Sequence, residues 1–233
     1  MFDTNYYCLV AGLREYSLDG GAKGFDPHAI LDEILRELTP RDLRAVRLLY
    51  GYYDCKNLIA PRAGSPAHDP LGNFARERLK EETEHPRLLP HAIGLVLAAY
   101  ARPDGEEAEE VDTSRPFEQA LFEAYYGLCA ASPSRFLREW SDFDRTLPYI
   151  DAVIAAVNDE SNLLEKEHKI DRIRWQQAVD LAAEDYFNVN AVLSYLVRIN
   201  LVARWTQLDE ARGRAMLGRL LRELDGKELI NNK

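Results

Sequence analysis

From Ser132 to Leu224 apolar residues recur at helical spacing with little interruption, and the longest such run is Asn188–Met216. That run carries Asn, Ser and Arg through a strongly apolar face, as in Asn-Val-Asn-Ala-Val-Leu-Ser-Tyr-Leu-Val-Arg-Ile-Asn from Asn188 to Asn200. A period of 3.6 sustained over this length specifies an amphipathic helix. Polar groups inside the apolar stripe suit docking within a larger helical assembly better than they suit a catalytic pocket. No convincing alternating strand occurs, so the chain is expected to be all-α.

The rest of the chain is punctuated by proline. Asp26-Pro27 and Thr39-Pro40 each place a capping side chain before a proline at the first helical position. Ile30, Leu31, Ile34, Leu35 and Leu38 follow the first signal, and Leu43, Val46, Leu49 and Tyr50 follow the second. Tyr6–Leu13 is a short apolar run that fits either a strand or a buried helix. Ala60–Asn73, with three prolines and two glycines, reads as a loop. A polar helix over Phe74–Glu84 is broken at His85-Pro86, and an apolar helix covers Leu88–Tyr100. Ser114-Arg115-Pro116 and Ser132-Pro133 open two more helices, with an interruption expected at Asn158–Asn162. Further helices are expected over Ile170–Asp185, Phe187–Arg204 and Leu208–Leu224, ahead of a frayed end. The acidic tract through Asp112 is the best boundary, giving two lobes of antiparallel helices, 1–112 and 113–233.

Composition narrows the function. Twenty-nine Lys and Arg against 39 Asp and Glu leave a net charge of −10, which repels phosphate backbones, so no nucleic acid partner is expected. No apolar run reaches the roughly 18 residues of a membrane span, and no signal peptide is expected. Cys8, Cys55 and Cys129 are scattered and lie among apolar or aromatic neighbours, which predicts reduced, buried thiols in a cytoplasmic protein. The arginines between Arg172 and Arg222 read as a solvated, Glu-paired surface or, alternatively, as a docking face for an acidic partner.

Two Glu-x-x-His spacings, Glu82/His85 and Glu165/His168, are the one metal-like pattern. On helices these pairs share a face, and two of them with further carboxylates would make a di-iron or di-manganese bundle enzyme. Their settings, Glu-Glu-Thr-Glu-His-Pro and Glu-Lys-Glu-His-Lys, read instead as solvent-facing helix ends, so no metal and no cofactor are expected. His28 and His91 read as helix-start residues and His68 as a loop residue. Phosphate-cradling glycine motifs and a nucleophile elbow are absent.

Four segments together resemble a family. They are Tyr6–Leu13, Leu48–Leu58 (Leu-Leu-Tyr-Gly-Tyr-Tyr-Asp-Cys-Lys-Asn-Leu), Phe136–Asp144 (Phe-Leu-Arg-Glu-Trp-Ser-Asp-Phe-Asp) and Asn188–Trp205. The chain resembles a bacterial family of helical proteins encoded among V-type ATPase subunits and best known from Bacteroidetes. The resemblance implies a distant likeness to the central-stalk subunit called C or d, a funnel of helical lobes between the central shaft and the membrane rotor ring. This chain is shorter than that three-lobed subunit, so a reduced form is implied.

The expectation is therefore a non-catalytic peripheral subunit or assembly partner of a V/A-type rotary ATPase. It would be cytoplasmic and held at the inner membrane through the complex. Its expected partners are the shaft and the rotor ring, and its expected contact residues are Asn188, Asn190, Arg198, Arg204 and Arg212. A bundle enzyme using Glu82, His85, Glu165 and His168, or a free-standing helical adaptor, are the alternatives.

Overall fold

The computed structural model describes residues 4–18, 24–101, 111–157 and 163–208, with backbone alone at 149–157 and 163–164. Among the described residues there are nine helices and no strand, so the fold is all-α. They are α1 (Tyr7–Gly12), α2 (Pro27–Glu37), α3 (Pro40–Ile59), α4 (Arg76–Glu84), α5 (His91–Ala99), α6 (Phe117–Ala130), α7 (Arg135–Val157), α8 (Leu163–Leu181) and α9 (189–208). The expected interruption at Asn158–Asn162, the 102–110 tract, and all of the expected Leu208–Leu224 helix beyond Leu208 lie outside the described residues.

The proline starts act as the sequence implies. Asp26 accepts hydrogen bonds from the His28 and Ala29 amides at 3.0 and 3.1 Å, with Pro27 opening α2. Thr39 caps α3 by accepting from the Asp42 amide at 3.3 Å. Tyr6–Leu13, open to either element on sequence, is helical from Tyr7 to Gly12. Its anchor is Tyr6. The Tyr6 hydroxyl donates to Asp42 at 2.6 Å and accepts from the Thr39 amide at 3.1 Å, and the Tyr6 amide donates to the Phe187 carbonyl at 2.6 Å. The N-terminal segment is thereby tied both to the start of α3 and to the turn before α9. Cys8, however, is exposed, while Cys55 and Cys129 are buried and free. The expectation of three buried thiols fails at Cys8 because α1 buries none of its own residues.

Buried apolar side chains form two cores. In the first, Ile34 of α2 and Val46, Leu49 and Tyr50 of α3 meet Phe136 and Leu137 of α7, Ala178 of α8, and Val192, Leu193, Leu196 and Ile199 of α9. In the second, Cys55 and Leu58 of α3 meet Leu79 of α4, Ile93, Val96 and Leu97 of α5, and Leu121, Tyr125 and Cys129 of α6. Each core draws on residues from both sides of position 112, and α3 supplies its first half to one and its second half to the other. Fully burying a side chain of this size contributes roughly 1.5–3 kcal/mol. Helix α6 packs against α3, α5 and α7 and so links the two cores.

The Ala60–Asn73 connection is pinned onto α3 by buried polar groups. Asn57 donates to the Asp69 carbonyl at 2.9 Å and accepts from the Asp69 amide at 2.6 Å. Asp54 accepts from the Asn73 side chain at 2.6 Å and from the Phe74 amide at 3.3 Å. Gly72 crosses α3 at this point, where an added Cβ would stand 2.8 Å from Asp54 Oδ1 and 2.9 Å from Asn57 Nδ2. Both side chains are held by other bonds and cannot swing aside cheaply. Gly72→Ala is therefore expected to cost about 1–3 kcal/mol, the usual penalty of overpacking, read as a lowered urea midpoint.

Candidate functional site

Helix α9 runs among α3, α7, α8 and the N-terminal segment, and each polar residue in its apolar face engages one of these neighbours. Asn188 caps the helix, accepting from the Asn190 and Ala191 amides at 2.9 and 3.4 Å. Asn190 is buried and accepts from the Ser134 hydroxyl at 3.1 Å and the Phe136 amide at 3.3 Å, so it helps to cap α7 as well. Ser194 donates to the Ala178 carbonyl of α8 at 2.6 Å, and Asn200 accepts from the Tyr50 hydroxyl of α3 at 3.0 Å. Tyr195 donates to the Arg14 carbonyl at 2.9 Å. Arg198 reaches Glu15 at 3.3 Å and lies over the rings of Trp175 and Tyr195.

Asp185, just before α9, draws α7, α8 and α9 together. It accepts from Asn188, from Asn190 at 3.2 Å and from Arg135 at 2.5 Å, while Arg135 also donates to the Leu181 carbonyl at the end of α8. Burial works against ionisation here. Hydrogen bonds from Asn188, Arg135 and Asn190 outweigh it and hold the carboxyl below the usual carboxylate range.

At the far end of the described α9, Asp171 of α8 is completely enclosed. Its Oδ1 accepts from Arg174 at 2.8 Å, and its Oδ2 accepts from Arg204 and from the Trp205 indole at 2.9 Å. Arg204 also pairs with Glu167, and His168 meets the Trp205 ring edge-on at 4.7 Å between centroids. A second carboxylate lies across α7. Asp144 accepts from the Tyr126 hydroxyl of α6 at 2.7 Å, and burial pushes its carboxyl up despite that bond and the Arg174 charge. A charged seam thus joins α6, α7, α8 and α9. Asp144 closes the Phe136–Asp144 segment that carried part of the resemblance. Asp171 escaped the sequence reading, although its i, i+3, i+7 register with Arg174 and the buried Ala178 marks one inward face.

Four of the five expected contact residues therefore have their polar groups engaged within the chain, with one exception: Arg198 Nε is buried without an acceptor. The fifth, Arg212, lies outside the described residues. The metal alternative is not assembled. Among the described residues no group of three or more His, Cys, Asp or Glu side chains gathers closely enough to hold a metal ion, so Glu82 and His85 do not converge with Glu165 and His168. The solvent-facing reading holds for His85 and Glu165 but fails for Glu82 and His168. Glu82 is buried because its Oε2 accepts from the Arg87, Leu88 and Leu89 amides at 2.7, 2.7 and 3.2 Å, closing the turn into α5. Those bonds, from Arg87 and Leu88 above all, hold its carboxyl below the usual range. His168 is half-buried against Trp205.

One buried carboxyl titrates within the accessible range. Burial pushes Asp54 up to about 6 from its ordinary 3.8, against the opposing hydrogen bonds from Asn73 and Phe74. Between these values the folded chain holds a proton that the unfolded chain has released, so stability falls as pH rises from about 4 to about 6. Asp54→Asn is expected to remove that part of the slope, read as urea midpoints compared across the interval.

Comparison with known proteins returns one result. The model of the family described as "Protein of unknown function (DUF2764)" matches residues 3–162 and 147–227, and the chain belongs to that family. No curated protein and no solved structure matches.

Proposed function

We propose that this member of the DUF2764 family is a non-catalytic helical subunit, or assembly partner, of a V/A-type rotary ATPase. Its place would be that of the C/d-type coupler, between the central shaft and the membrane rotor ring, in the cytoplasm at the inner membrane. The observation that carries this reading is the way α9 is held. Asn190, Ser194, Asn200, Arg198 and Arg204 each join it to a different neighbouring residue, across α7, α8, α3 and the N-terminal segment. Buried polar and ionic contacts add little net stability, but they fix which turn of one helix faces which turn of the next. A part that transmits torque needs that property, because purely apolar helix faces can slide past one another by a turn. Among the described residues no helix is long and apolar enough to cross a membrane, so attachment would run through other subunits.

The test is recovery of the tagged full chain from gently solubilised native membranes. The nucleotide-binding, shaft and rotor-ring subunits of the rotary ATPase are expected in fixed proportion. Recovery without any of them would leave a free-standing adaptor. Stoichiometric iron or manganese in chelator-free protein would overturn the non-catalytic reading.

A further inference from the structure

A cleft of about 770 Å³ opens between α2, α3, the 70–74 segment, α5 and α6. Its wall is mostly apolar: Leu31 and Leu35 of α2, Leu48 of α3, Phe74, and Leu128 of α6 line it half-buried, and Leu88 stands 59% exposed at its edge. Its lining runs along α3 from Arg44 to Leu58, roughly 20 Å at the rise of an α-helix. That length matches roughly three to four turns of a second helix laid along it. The mostly apolar wall suits the apolar stripe of such a helix.

The rim supplies the charge. Arg44 and Arg47 are three residues apart on α3, both are exposed, and neither makes an ion pair among the described residues. In a chain with ten more acidic than basic side chains, this leaves two positive charges one helical turn apart with no acidic partner among the described residues. The other charged or titratable groups lining the cleft are His28 and Asp32 on α2, Tyr50, Cys55, Tyr125, and Asp54, which is already engaged by Asn73 of the same lining and by the Phe74 amide. The free charge of the rim is thus positive along α3.

We propose that this cleft docks an amphipathic helix of a partner protein, apolar at i, i+3, i+4 and i+7 and acidic along the flank that faces α3. The docking mode is an apolar helical stripe in a groove, with Arg44 and Arg47 selecting the acidic flank and fixing its direction. The inference goes beyond the rotary-ATPase reading and does not depend on it.

The experiment places a photo-crosslinking amino acid at Leu31 or Leu35 in the full chain, expressed in its own cells, with Val179 on the outer face of α8 as the control position. The expected result is an adduct from the cleft positions alone, mapped by mass spectrometry to a partner segment with the stated apolar spacing and an acidic flank. A synthetic peptide of that segment is expected to bind the purified chain, at least about tenfold more weakly with Arg44→Glu and Arg47→Glu combined, and less tightly as salt rises. Both arginines are exposed, so circular dichroism and melting should match the parent chain; if they do not, the Gln pair takes the place of the Glu pair. Adducts confined to this chain's own residues or to a second copy, no adduct at all, or binding indifferent to both arginine pairs would overturn the proposal. An adduct with a protein outside the rotary ATPase would sink the coupler reading and leave this inference standing.

Discussion

Asp171→Ala is expected to lower stability by about 3 kcal/mol or more, the scale found when one partner of a buried ion cluster is removed. For a chain of this size that is a drop of roughly 6–12 °C in melting temperature. The cause is what the carboxylate leaves behind. Arg174, 23% exposed, would keep its charge without the acceptor at 2.8 Å, and the Trp205 indole would lose its only acceptor among the described contacts. Arg204→Ala is expected to cost much less. It leaves behind Glu167, whose side chain is 38% exposed and open to water, and Asp171 would retain Arg174 and Trp205. Replacing Asp171, Arg174 and Arg204 together by apolar residues should recover part of the lost stability, because the enclosed carboxylate leaves together with its cations, while Asp144 loses the Arg174 charge and half-buried Glu167 loses Arg204. If the seam fixes register, that variant remains stable yet fails to co-purify with its complex. Thermal melts and the pull-down, run on the same three proteins, separate the two effects. A loss for Asp171→Ala no larger than for Arg204→Ala would show that the seam carries no such role.

Phe136→Ala should cost about 3–5 kcal/mol, the range for removing a fully buried aromatic ring. Phe136 is completely enclosed, and its ring stacks on Trp140 at 6.0 Å and 6° between planes. Its amide also donates to Asn190, so the residue sits where α7, α9 and the first core meet. Phe136→Leu keeps most of the volume and should cost clearly less. Denaturant unfolding monitored by tryptophan fluorescence reads both, since Trp140 lies against the substituted ring. Equal losses for Ala and Leu would mean that the site collapses around any smaller side chain.

Parts of the segments that carried the resemblance are structural. Phe136 and Leu137 are core, Asp144 receives Tyr126, and within Leu48–Leu58 the residues Asp54 and Asn57 pin the connection to α4. Helix starts were legible because a capping side chain and a proline act within three residues. The alternating burial of α2, α3, α7 and α9 was legible because a core face repeats every 3.6 residues. What a buried polar residue touches was not. Glu82 looked like one more acidic side chain in a charged stretch, and only the return of the chain at 87–89 brings three amides to it. Asn190 and Arg204 looked free for partners, and the packing of α9 against α7 and α8 engages them internally.

The sequence by itself determined that the chain is helical, where most of its helices begin, and which side of each is apolar, since all three depend on interactions a few residues long. Tertiary structure alone decided which helices share a core, which carboxylates are enclosed, and which arginines remain free. Those outcomes depend on groups tens to more than a hundred positions apart, such as Tyr50 with Asn200 and Tyr195 with the Arg14 carbonyl. The energies of buried charges and orphaned donors are settled by such distant neighbours, because burial removes water and makes each remaining partner count.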